Sequence, residues 1–151
     1  MIRLLYLSRA TNTLSNEKTQ EILESSGRNN PALGITGLLL TGGGVFMQVL
    51  EGPELPVLQL YVKILEDRRH GDCQIICVSP VDERMFDKWS MGLIDSAPLE
   101  FQEIKELRDK RLESVPPKAY TDVMGGLLKK LNAGKRAVAS DTDAGRVGQE
   151  K

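Results

Sequence analysis

Aromatic residues make up only 5% of the 151 positions, and the chain has one histidine, one tryptophan and two cysteines. An excess of charge is also missing: twenty Lys and Arg stand against twenty-one Asp and Glu, a formal net charge of −1. That balance removes the electrostatic reason to expect nucleic acid or an anionic membrane as partner. No apolar run approaches the roughly 18 residues of a membrane span, and the opening "MIRLLYLSRA" reads as a strand without a signal-peptide layout. A cytoplasmic protein is expected. Cys73 and Cys77 lie four apart in a strand-like segment, which predicts two buried, reduced thiols on one face and no disulfide. No metal-ligand set is assigned.

What is present suffices for one core, since 40% of the residues are hydrophobic. Residues 2–7, "IRLLYL", predict a central strand with Ile2, Leu4 and Tyr6 on one face and Leu5 and Leu7 on the other. Ser15 is the candidate cap of a helix over 16–28, and Gly34 opens a second strand, "GITGLLLT". "TGGG" at 41–44 then turns the chain into "VFMQVLEG" at 45–52. A helix over 55–69 carries Val57, Leu60, Tyr61, Ile64 and Leu65 on an amphipathic face. "CQIICVSP" and "WSMGLID" are two further strands. The order is that of an α+β, ferredoxin-like βαββαβ fold with an additional strand, giving a five-stranded sheet with two helices on one face. Two more helical stretches, 100–112 and 117–131, form a C-terminal hairpin. The chain thus divides into a domain over 1–97, a helical extension over 98–131 and a tail over 132–151 expected to be disordered.

Polar residues interrupt this ordinary pattern. In "VFMQVLEG", Phe46, Gln48 and Leu50 share one face and Val45, Met47 and Val49 the other, so Gln48 stands among buried neighbours. A buried primary amide without partners costs about 1–3 kcal/mol. The first helix is thin in apolar residues and ends in "RNNP", where proline biases Asn30 away from helix. Turn chemistry accounts for the Asn pair, and core packing for Tyr6, when each is taken alone. If Tyr6 and Gln48 face the helices and the Asn pair closes over them, hydrogen-bonding groups converge on a cleft suited to a flat heteroaromatic ring.

"YLSRA" at 6–10, "RNNPALGITGLLL" at 28–40, "FMQVLEG" at 46–52, "ILEDRRH" at 64–70 and "FDKWSMG" at 86–92 together resemble the BLUF domain, a blue-light sensor that uses FAD. The resemblance spans about residues 1–95, and the layout is similar to the short single-domain members. It implies FAD rather than FMN as cofactor and no enzymatic activity of the chain's own. Tyr6 is implied as electron and proton donor, with Gln48 between it and flavin N5 and O4. Asn30 is implied at the pyrimidine edge of the ring with Asn29 beside it. Ile22, Ser26, Phe46, Leu50 and Ile64 would line the ring or ribityl chain, and Asp67 and His70 would stand near the ribityl and phosphate end. Lys63 occupies a position where many members carry arginine, which exchanges a planar fork for a point charge.

The same resemblance implies hydrogen-bond switching at Gln48, by rotation or tautomerisation, and a red-shifted signalling state. Trp89 and Met91, alternating on one face of the last strand, are the implied relay to the C-terminal helices. The output would be a downstream signalling protein, and the chain a homo-oligomer, a dimer or larger. Two other functions suit the fold class. An acylphosphatase-like hydrolase would recruit Arg9 or Arg28 with Asn30 to an anion loop. An RNA-binding module would require exposed aromatics on central strands, for which Phe46 is the lone candidate in its motif.

Overall fold

The computed structural model describes residues 1–11, 16–95, 98–110, 117–133 and 137–138. Strand β1 (Ile2–Ala10) leads to helix α1 (Asn16–Leu33), the hairpin β2 (Thr36–Gly42) and β3 (Val45–Gly52), helix α2 (Glu54–Glu66), and strands β4 (His70–Pro80) and β5 (Met91–Asp95). Helices α3 (Pro98–Lys110) and α4 (Pro117–Asn132) follow, and a two-residue β6 (Ala137–Val138) ends the described chain. The sheet order is β4-β1-β3-β2-β5-β6, antiparallel except for the β2–β5 pair. This is the expected ferredoxin-like arrangement with β5 as the additional strand and β6 as a short sixth. Ser15 and most of the tail lie outside the described residues.

Strand alternation divides the interior in two. Ile2, Leu4, Tyr6, Phe46 and Leu50 face one layer, together with Leu23, Val57 and Tyr61 from α1 and α2. Leu5, Leu7, Met47 and Val49 face the other, where Ile104 of α3 and Met124, Leu127 and Leu131 of α4 complete a second core. Glu100 and Lys130 form an ion pair that joins the start of α3 to the end of α4, as an antiparallel hairpin requires. Among the described residues no helix is long and apolar enough to cross a membrane.

Several boundaries differ from the sequence expectation. Helix α1 continues through Asn29, Asn30 and Pro31 to Leu33. A proline this near the end sacrifices only one helical hydrogen bond. Gly34, at φ +67°, then supplies the left-handed turn. Its N–H donates to Pro31 O at 3.1 Å and that of Ile35 to Asn30 O at 3.0 Å, the paired bonds of a Schellman cap. Helix α2 stops at Glu66, three residues early, because the Asp67 carboxylate accepts the backbone N–H and the guanidinium of Arg69 and turns the chain. His70 therefore begins β4 and does not end a helix.

The two cysteines are free and half-exposed, and they face opposite sides. Tyr6 pairs with Ile75 but Leu5 pairs with Cys77, so a bulge at Ile76 inserts one residue and reverses the alternation. Cys77 packs against the Leu5 core, whereas Cys73 Sγ lies 3.8 Å from His70 Nδ1 on the other side. Strand β5 likewise starts at Met91, leaving Trp89 in the preceding turn with its N–H on Phe86 O. The expected common face of Trp89 and Met91 is thereby lost: Trp89 packs towards α3 and α4, and Met91 belongs to the α1/α2 layer.

A buried carboxylate fixes the segment before β5. Glu51, 0% exposed, pairs with Arg3 Nε at 3.2 Å. It also accepts from Thr36 Oγ1 at 3.0 Å and from the backbone N–H groups of Met85 and Phe86. Arg84 reaches from the same segment to Thr36 Oγ1 and to the carbonyls of Gly34 and Glu51. Removing one partner of a buried pair costs about 3–5 kcal/mol, because the other charge stays buried. Glu51→Leu is therefore expected to lower the urea-unfolding free energy by at least about 3 kcal/mol. A loss within about 0.5 kcal/mol, as at an unimportant surface site, would contradict this account.

Candidate functional site

A cleft of about 270 Å³ opens between α1 and α2 over the sheet. Its floor comes from strand register. Tyr6 on β1 stands directly opposite Gln48 on β3, and Gln48 opposite Leu39 on β2. Tyr6 Oη donates to Gln48 Oε1, and Gln48 Nε2 donates to Met91 Sδ at 3.4 Å. The amide asked for by the sequence thus joins a phenol on β1 to a thioether on β5, reaching past β2. Burial, above all, pushes the Tyr6 phenol far above its ordinary range, with Cys73, Tyr61 and Asp67 adding to the shift. The Tyr61 ring lies 5.2 Å from the Tyr6 ring, centroid to centroid.

The wall on the α1 side is a run of polar and apolar residues on one helical face. Ile22, Ser25, Ser26 and Asn29 follow the three/four spacing, and Asn30 completes the wall. Asn30 is buried, and its Nδ2 donates to Ser90 O at 2.9 Å; Asn29 Nδ2 donates to Ser25 Oγ at 3.3 Å. On the α2 side stand Leu60, Lys63 and Ile64, with Asp67, Arg69 and His70 beyond the helix end. The Arg69 side-chain hydrogen bond holds the Asp67 carboxyl below its ordinary value, against the opposing effect of burial. His70 sits between strands and helix: Nδ1 lies 2.8 Å from Ser8 Oγ and Nε2 2.6 Å from Ile64 O. A carbonyl only accepts, so Nε2 carries a proton and donates.

The cleft brings together Tyr6, Ile22, Ser26, Asn29, Asn30, Phe46, Gln48, Lys63, Ile64, Asp67 and His70, as the sequence reading grouped them. It does not include Leu50, which is fully buried beneath the floor because it shares the Gln48 face but lies two residues deeper in the core. Of the relay pair, only Met91 touches Gln48; the buried Trp89 Nε1 has no hydrogen-bond partner among the described residues. Four lining residues escaped the sequence reading. Ser25 is four before Asn29 and Leu60 four before Ile64, so helical spacing alone could have found both. Leu39 follows from the hairpin register opposite Gln48, while Arg69, outside any helix, carries no periodic signal. Arg9 lines a separate groove with Lys105 and Arg108, and Arg28 is exposed, so neither arginine lines the cleft with Asn30 as the anion loop of a hydrolase would need. Both sheet faces are covered by helices, and Phe46 is buried under one of them.

The lining suits a flavin. Ile22, Leu39, Leu60 and Ile64 give apolar walls for a flat ring, three amides offer hydrogen-bonding groups, and Lys63 and the Asp67-paired Arg69 add positive charge to the lining. Among the described residues no group of side chains is arranged to hold a metal ion.

Comparison with known proteins identifies the family. Residues 1–92 match the family model for BLUF, sensors of blue-light using FAD. Photoactivated adenylate cyclase subunit alpha of Euglena gracilis is 33% identical over 129 residues, which cover 85% of this chain and 11% of that protein. The chain spans about a tenth of the length of the first curated relatives it matches. The solved dark-state structure of BlrB, a BLUF protein, superposes with a TM-score of 0.69 at 28% identity, covering 86% of this chain and 96% of that one. A Klebsiella pneumoniae structure with FMN and cyclic diGMP superposes at a TM-score of 0.62 and 28% identity, over 88% of this chain and 34% of that one. The chain belongs to the BLUF family of blue-light sensors.

Proposed function

We propose that this chain is a cytoplasmic blue-light photoreceptor that takes FAD in the cleft between α1 and α2, performs no enzymatic step of its own, and signals through its C-terminal helices. The observation that carries the reading is the chain of contacts from Tyr6 through Gln48 to Met91. When bound, the flavin supplies blue-light absorption and an excited state able to accept an electron and a proton. Asn29, Asn30 and Ser26 orient the ring edge, Ile22 and Ile64 enclose it, and Lys63, Asp67 and His70 line the end assigned to the ribityl chain and phosphates. Lys63 and Arg69 as phosphate partners favour the diphosphate of FAD.

Tyr6 keeps its proton on Oη in the dark, because burial disfavours the phenolate. It is the residue placed to release that proton along the bond to Gln48 when it gives up an electron. Gln48 has one accepting and one donating end, so rotation or tautomerisation exchanges them with little movement of heavy atoms. Rotation turns the carbonyl towards the Met91 thioether, which has no proton to offer, and so breaks that contact. A new N–H directed into the cleft would stabilise the excited ring more than its ground state and shift absorption to the red.

The route outward has short steps. Met91 is followed by Gly92, where an added Cβ would stand 2.8 Å from Leu131 Cδ1 of α4, so helix and strand touch without an intervening side chain. A changed Met91 position is therefore felt at α4, where a protein partner or a second copy of the chain would read it.

Three results test this reading. Purified protein should show a flavin spectrum that moves to the red on blue illumination and recovers in darkness. Gln48→Leu should keep the flavin and lose the shift; protein that stays colourless with added FAD would end the proposal. Met91→Ala should retain the red shift but lose the light-induced change in hydrogen exchange of α4. The phenol has a pH signature. Its folded pKa lies above the ordinary value of about 10, so above pH 10 the unfolded chain releases a proton that the folded chain keeps, and stability falls as pH rises. The urea midpoint of Tyr6→Phe should fall less steeply than that of wild type between about pH 9 and 11, with Tyr61 and Cys73, also raised by burial, contributing to the slope that remains.

A further inference from the structure

Helices α3 and α4 cover their face of the sheet incompletely. At the edge of the apolar core beneath them, a groove of about 570 Å³ opens between α3 and the adjoining ends of β1 and β4. Leu7 and Val45 form its floor, and Arg9, Lys105 and Arg108 bring three cations to it against one carboxylate, Asp72. Val45 and Lys105 also line a second hollow of about 250 Å³ with Pro98, Phe101 and Gln102, so the two run together as one groove along α3. The whole chain has a net charge of −1, which makes these cations a local excess. Among the described residues, neither Arg9 nor Lys105 has a carboxylate within ion-pair distance. Arg108 is held over β4, because its Nη1 donates to Gln74 Oε1 at 3.2 Å. Its Nη2 meets Asp109 Oδ1 at 3.3 Å, an exposed ion pair of the weak, exchangeable kind. A groove lined by one sign of charge draws a ligand of the other.

We infer that this groove binds an extended acidic segment of a partner protein, with carboxylates in its Arg9–Arg108 half and apolar side chains in its Phe101 half. Length favours a peptide over a small anion. From Pro98 to Arg108, α3 rises about 15 Å, the reach of four or five extended residues. Spacing favours alternate acids. Lys105 and Arg108 are one turn apart, about 5–6 Å, close to the roughly 6–7 Å between alternate residues of an extended chain. The other half offers Pro98, Phe101 and Val45 and no further charge beyond the shared Lys105, so an all-acidic occupant would leave it unmatched. A nucleic-acid strand would need an aromatic platform, and Phe101, the one ring among the lining residues, is only 8% exposed. None of these residues lines the cleft between α1 and α2, so the inference stands apart from the photoreceptor reading.

The test is an amide-resolved NMR titration of the full chain with the blocked peptide Leu-Leu-Ala-Glu-Ala-Glu. The amides of Arg9, Val45, Lys105 and Arg108 should shift together, with a dissociation constant below about 1 mM. Lys105→Glu and, separately, Arg9→Glu should each weaken binding at least about 10-fold while keeping the amide dispersion of wild type. Lys88→Glu, at an exposed position beyond the opposite end of β4, should leave it unchanged. The same peptide with glutamine for glutamate should also bind at least about 10-fold more weakly. Absence of shifts at about 5 mM peptide, shifts centred elsewhere, or equal binding of the glutamine peptide would overturn the inference. So would an oligothymidylate of about six nucleotides that binds the groove more tightly than the peptide, which would assign it to nucleic acid instead.

Discussion

The Glu51 carboxylate is the point on which the cleft depends. It closes β3 in a fully buried position and accepts from Arg3 of β1, Thr36 of β2 and the backbone of Met85 and Phe86. Charge-assisted bonds to two neighbouring strands and a connecting segment fix where residues 81–90 run, in a region where an unpaired charge would be costly. Two site features follow. The Ser90 carbonyl is held where Asn30 Nδ2 reaches it, which locks the α1 wall. Met91, next in sequence, enters the sheet with its sulfur against Gln48. Neither Glu51 nor Arg3 lines the cleft, yet both determine its shape.

Against that rigid frame, the Gln48 amide is held unevenly. Its carbonyl has a phenol donor, while its N–H₂ has a thioether, a weak acceptor. Neutral hydrogen bonds contribute about 1 kcal/mol net, and a sulfur acceptor less, so the two amide orientations are separated mainly by the Tyr6 bond. Anything that changes the phenol changes the preferred orientation. A stronger partner than Met91, such as a backbone carbonyl, would have anchored the amide and removed that sensitivity.

The sequence made the sheet legible because period-two alternation is strict in β1 and β3: the faces assigned to Tyr6, Gln48, Leu5 and Met47 are those observed. The C-terminal helices were legible for a similar reason, since apolar residues recur at helical spacing. What remained hidden depended on single local bonds. The Ile76 bulge sends Cys73 and Cys77 to opposite faces, and nothing in "CQIICVSP" announces it. The Asp67–Arg69 contact shortens α2 and releases His70 to the strand. The cap at Gly34 lets α1 run through Pro31, although propensity argued for an earlier stop. Leu50 was misplaced for a different reason: alternation gives the face of a residue but not its depth. Glu51 stood in plain view at the end of "FMQVLEG", yet a carboxylate beside a glycine reads as a turn until its partners, more than thirty residues away for Met85 and Phe86, are brought to it.

In the proposed reading the sheet separates reception from output. One face, under α1 and α2, holds the polar cleft; the other, under α3 and α4, is almost wholly apolar. A signal formed on the first face must cross a single layer of backbone, and β5 is the strand where crossing is shortest, because Met91 faces the cleft layer and Gly92 abuts Leu131. Adjacent residues of a strand point to opposite faces, so a shift at one is transmitted to the other by backbone rigidity alone. That geometry gives the glycine at position 92 a packing reason: a Cβ there would stand 2.8 Å from Leu131 and hold α4 away from the strand.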